Sequence, residues 1–82
     1  MAGMIRRSLP EFGSNADRIA WIGDRIWDVA EGILDKEDAT FIMWLLDGWV
    51  DTPTYSPHDR DQFTTLLAVL RATMALRFDE VE

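Results

Sequence analysis

Three stretches of this chain repeat apolar residues at helical spacing, and short polar breaks separate them. In the first, Ile19, Ile22, Ile26, Val29, Ala30 and Ile33 share one face at ~100° per residue. Ser14 precedes that stripe as an N-cap, and Asp17 stands three positions on, where a carboxylate meets the helix dipole. Gly32 serves either as a left-handed terminator or as a poor interior residue. In the second stretch, Asp35 caps a helix with Glu37 and Asp38 in its first turn, and Phe41, Ile42, Leu45, Leu46 and Trp49 line its inner face. Residues 51–56 form a loop that ends in Ser56-Pro57, a capping hydroxyl followed by a proline whose missing N–H costs nothing at a helix start. Phe63, Leu66, Leu67, Leu70, Met74 and Phe78 make the third stripe. The pattern predicts helices near 15–33, 36–49 and 57–78.

No segment alternates with the period of a strand. The first two helices are joined closely enough for an antiparallel αα-hairpin. The expected fold is all-α: a small three-helix bundle, residues 14–82, preceded by an N-terminal extended arm, residues 1–13, in one domain of 1–82. Pro10 and Gly13 break the arm, whose apolar residues are Met4, Ile5, Leu9 and Phe12. Ile26, Ile33, Leu45, Leu67 and Leu70 sit central in their stripes and are the expected core.

Charge narrows the function classes. Eight basic and 15 acidic side chains leave a net charge of −7, with a pI near 4.4. Nucleic-acid binding needs a basic footprint, so no direct nucleic-acid contact is expected. No apolar run approaches the roughly 18–20 residues of a membrane span, and the two arginines near the N-terminus precede no signal-like apolar stretch. A cytoplasmic location without membrane contact is the expectation. The absence of cysteine excludes disulfides and thiolate metal sites.

Catalytic constellations are sparse. The one histidine, His58, stands in a helix first turn beside Asp59 and Asp61, without the glycine and distal glutamate of a calcium loop. Ser14 and Ser56 are used as caps, and no Gly-x-Ser-x-Gly elbow or glycine-rich phosphate loop occurs. The lone lysine, Lys36, reads as solvated. The carboxylate pairs Asp24/Asp28 and Asp28/Glu31 lie on a polar face, and no Glu-x-x-His motif supports a di-iron site. Neither an enzyme nor a cofactor or metal site is expected.

Two surface patterns remain. On the first helix Asp17, Asp24, Asp28, Glu31 and Asp35 fall within about 40° of one another's common line, as a stripe. Such a row stands in loosely for a phosphate backbone, or is simply a solvated face that Arg25 neutralises through Asp28. Trp21 falls beside the stripe, either as an interface residue, or beneath the arm or stacked on Arg25. Trp44, with Met43, is turned away from the inner face of the second helix and is either a contact residue or covered by the arm. On the third helix, Val69, Ala72 and Leu76 make a second apolar side. It would be buried in a homodimer or under Ile5, Leu9 and Phe12 of the arm. These features support a non-enzymatic, acidic protein-binding module that docks on a basic, nucleic-acid-binding surface of a partner. Small phage-type inhibitors have this size and charge. Asp17, Trp21, Asp24, Asp28, Glu31, Asp35 and Trp44 are the candidate contacts. The alternative is a homo-oligomeric structural or regulatory subunit held by apolar faces.

Overall fold

A computed structural model describes residues 9–78. Helix α1 spans Asn15–Ala30, α2 Lys36–Val50 and α3 Pro57–Phe78, and no strand occurs among the described residues. The protein is thus an all-α three-helix bundle. Each helix starts at the cap its sequence provides. The Ser14 hydroxyl oxygen accepts from the Asp17 N–H at 3.2 Å, the Asp35 carboxylate from the Asp38 N–H at 2.9 Å, and the Ser56 hydroxyl oxygen from the Asp59 N–H at 3.1 Å. These bonds satisfy amide donors that a helix leaves open in its first turn.

The end of α1 departs from expectation. The helix stops at Ala30, three residues early, because Gly32 adopts φ +83°. The Gly32 N–H donates to the Val29 carbonyl at 3.1 Å and the Ile33 N–H to the Asp28 carbonyl at 2.9 Å. This paired arrangement is the Schellman motif. The chain reverses there, so Ile33 leaves the stripe and is 56% exposed, while Leu34 turns inward and is buried. Ile33 is therefore not core, and Leu34 takes its place.

The core joins Ile22, Ile26 and Val29 of α1 and Leu34 to Ala39, Ile42 and Leu46 of α2 and Phe63, Leu67 and Leu70 of α3. Expected core residues Ile26, Leu67 and Leu70 are buried. Leu45 is only half-buried. The reason is the packing: α3 lies against both other helices, whereas α1 and α2 touch each other sparsely. A helix with one main neighbour buries a narrow arc, and Leu45 stands at its edge.

An aromatic cluster closes the end where the arm meets the bundle. Phe12 meets Trp21 and Trp49 edge-on, with centroids 5.4 and 5.6 Å apart, and Trp49 and Tyr55 both contact Phe63. The Arg18 guanidinium sits among Phe12, Trp49 and Tyr55 at 5.4–5.9 Å from their centroids. Arg18 also donates to the Asn15 carboxamide oxygen at 2.9 Å, and Asn15 Nδ2 donates to the Asp59 carboxylate at 2.9 Å. A cation held over aromatic faces and tied to α3 through Asn15 fastens the arm to the bundle.

The second side of α3 is not covered by the described arm. Val69 is 46% and Leu76 86% exposed, and Ala72 is exposed as well. Phe12 packs on Trp21 and Trp49 instead. Ile5 lies outside the described residues.

Candidate functional site

The fold shortens the acidic stripe and engages part of it within the chain. The Asp17 carboxylate accepts from the Gly13 N–H at 3.3 Å, so it helps hold the arm against the first turn of α1. The Asp28 carboxylate pairs with Arg25 at 2.8 Å, through both Nε and Nη2. Glu31 is the C-cap of α1 and keeps αR backbone, so it is the last residue of the stripe. Asp35 lies beyond the reversal at Gly32, and its carboxylate caps α2. The helical wheel cannot be carried through Gly32 at positive φ, so the alignment holds for Asp17, Asp24, Asp28 and Glu31 and is lost at Asp35. Of these, Asp17, Asp24 and Glu31 are exposed and Asp28 is half-buried.

Trp21 is also accounted for. It is half-buried, with Phe12 against its edge and the Arg25 guanidinium 5.7 Å from its ring. It lies beneath the arm and beside Arg25 together.

Trp44 has the opposite environment. It is 68% exposed, and its ring lies over Phe41 with centroids 6.1 Å apart and planes 25° from parallel. Phe41, Trp44, Leu45 and Gly48 recur at i, i+3, i+4 and i+7, which lines them along one side of α2. This side is turned away from Ile42 and Leu46, so α2 carries apolar residues both inward and outward. Trp44, Leu45, Asp47, Gly48 and Asp51 line an open hollow of about 290 Å³. That is at the lower limit of the ~300–1,000 Å³ typical of small-molecule pockets, enough for one side chain. A Cβ built on Gly48 would meet nothing within 4 Å, so the hollow has bare helix backbone at its floor.

The electrostatics of the hollow are one-sided. It lies at the C-terminal end of α2, where aligned peptide dipoles leave partial negative charge. Asp47 and Asp51 add two carboxylates, and no basic residue stands in the last turn. No described side chain bonds to either carboxylate. The Asp51 N–H donates to the Asp47 and Gly48 carbonyls at 3.3 and 3.2 Å, and the Thr52 hydroxyl donates to the Gly48 carbonyl at 2.8 Å. Those bonds close the helix and leave the carboxylates at the surface.

Elsewhere, Trp27 is 65% exposed on α1, although the spacing puts it at the edge of the apolar face. His58 is exposed in the first turn of α3. Among the described residues, no three His, Asp or Glu side chains converge as a metal-binding group, and no helix is long and apolar enough to cross a membrane. No family model, curated protein or solved structure matches the chain.

Sequence reasoning identified Trp44 but not the hollow beside it. Asp47, Gly48 and Asp51 carry a local signal, since they follow Trp44 at i+3, i+4 and i+7. That spacing becomes informative only when the inner arc of α2 is known.

Proposed function

We propose that this chain is a non-enzymatic protein-binding module, and that the outer side of α2, with Trp44 at its centre, is its contact surface. The observation that carries the reading is the 68% exposure of Trp44 beside a hollow with two carboxylates at its rim. Tryptophan is enriched among the residues that dominate binding energy, and burying it supplies large area at low conformational cost. A net charge of −7 gives the module a long-range attraction to a basic partner surface, including one that otherwise holds nucleic acid. In this reading Asp17, Asp24, Asp28 and Glu31 contribute to the field and hence to association rate rather than to a contact row. Affinity capture from the source cells by wild-type protein and by Trp44→Ser tests it. The expected result is a set of bound proteins that is lost with Trp44→Ser and weakened by salt. Retention of the same set by the variant overturns it.

A second reading has its own observation. Val69 and Leu76 are exposed on α3, opposite the core. An isologous homodimer through Val69, Ala72 and Leu76 would cover them and make the chain an oligomeric structural or regulatory subunit. Sedimentation velocity decides it: a dimer that Leu76→Glu converts to monomer supports this reading, and a wild-type monomer at high concentration refutes it.

A further inference from the structure

We infer that the hollow at the end of α2 receives an arginine side chain of the partner protein. The inference rests on the reading of this face as a docking surface and adds the chemistry of what enters it. Trp44, Asp47, Gly48 and Asp51 form one stripe over about 10 Å of helix, at ~1.5 Å per residue. An exposed indole face, a floor without a side chain, an apolar wall at Leu45 and two carboxylates therefore surround one open space.

Three observations favour a cation in that space. The carboxylates of Asp47 and Asp51 stand at the negative end of the helix dipole, where acidic groups are disfavoured and basic ones favoured. The chain places no basic residue in that last turn, whereas α3 ends with Arg77 in its own. An indole face attracts cations through its quadrupole, and here most of the ring is open to solvent. Gly48 adds a fourth point. Glycine weakens a helix interior, and no described atom uses the room its missing side chain leaves.

Arginine fits these features better than lysine. Its guanidinium is planar, stacks on aromatic faces and is weakly hydrated, so it loses less on entering a half-apolar hollow. Its fork of N–H donors can address carboxylates on two sides while the stem lies along Leu45 and Gly48. An ammonium is a compact, strongly hydrated point charge that gains less from the indole face.

The test is an NMR titration of the full chain, following the Trp44 indole N–H and the Asp47, Gly48 and Asp51 amides. The probes are three blocked tripeptides, each with two leucines flanking arginine, lysine or citrulline. Citrulline keeps the shape of arginine and removes its charge. The expected result is saturable movement of those signals with the arginine peptide by about 10 mM, tenfold above a Kd near 1 mM. Lysine should bind more weakly and citrulline should leave the signals in place. Asp47→Asn/Asp51→Asn should weaken arginine binding about tenfold, and raised salt should weaken it in the parent. Equal shifts from arginine and citrulline would overturn the inference while leaving an apolar docking face. Absence of any shift at α2 would also overturn it. The reading of Trp44 as a contact residue is judged separately, by the capture experiment with Trp44→Ser.

Discussion

The C-terminal ends of α1 and α2 pose the same electrostatic problem and are treated differently. Each helix lacks a basic residue in its last turn, and each carries two carboxylates there, Asp28 and Glu31 in one and Asp47 and Asp51 in the other. At α1 the chain supplies the answer. Arg25 pairs with Asp28 at 2.8 Å, Gly32 closes the carbonyls in a left-handed turn, and Arg77 reaches across from α3 so closely that a Cβ on Gly32 would lie 2.8 Å from Nη2. At α2 no described cation approaches, and the carboxylates flank an open hollow beside Trp44. A charge pattern answered inside the fold is part of its architecture. One left unanswered beside an exposed tryptophan is available to another molecule.

The largest expected contrast is between the two sides of α2 and its support. Leu46 and Leu70 are fully buried, so Leu46→Ala and Leu70→Ala should each cost about 2–5 kcal/mol and could unfold a domain this small. Trp44→Ser, on the open side, should change stability by no more than about 0.5 kcal/mol. Urea denaturation with unchanged slope measures all three. A Trp44→Ser cost near that of Leu46→Ala would make Trp44 a structural residue and erase the distinction between the two helix ends.

The same contrast explains what could be read in the sequence. Helix starts were legible because caps are local: Ser14, Asp35 and Ser56 each bond to a backbone N–H three residues ahead. The end of α1 was not, because Gly32 suits either a helix interior or a left-handed turn until its φ is known. Carrying the wheel past it misplaced Ile33 in the core and aligned Asp35 with a stripe it does not join. Trp21 and Trp44 both stand off the main apolar faces, and nothing near them in sequence tells which is covered. The covering residue is Phe12, nine positions before Trp21, and it packs edge-on against both Trp21 of α1 and Trp49 of α2. Asp38, almost fully buried in the first turn of α2, carried no signal beyond its capping position.

The two glycines at these helix ends should respond with opposite signs. Gly32→Ala forces a Cβ into the left-handed region and against Arg77, and should destabilise by about 1–2 kcal/mol. Gly48 has helical geometry and open space, so Gly48→Ala should stabilise by about 0.5–1 kcal/mol. Thermal or urea midpoints measure both. If Gly48→Ala destabilises, the space over Gly48 is used within the chain, and the hollow is not free for a partner.

The smallest effect tests the electrostatic half of the comparison directly. Neutralising Asp47 or Asp51 removes a carboxylate from the negative end of α2 without breaking any bond made by a described side chain. Each of Asp47→Asn and Asp51→Asn should therefore stabilise the free protein by about 0.3–1 kcal/mol in low salt. Asp28→Asn relieves the same kind of repulsion at the end of α1 but gives up the Arg25 pair, worth ~0.2–0.5 kcal/mol on a helix surface. The two terms oppose, so its net effect should lie near zero. Raising salt toward 1 M shortens the screening length to about 3 Å and should abolish the gain at Asp47 and Asp51. Urea denaturation of both kinds of variant at two ionic strengths measures the difference. Equal responses at Asp28 and Asp51 would mean that both helix ends are compensated alike, and that the hollow beside Trp44 holds no excess negative charge for a basic side chain to meet.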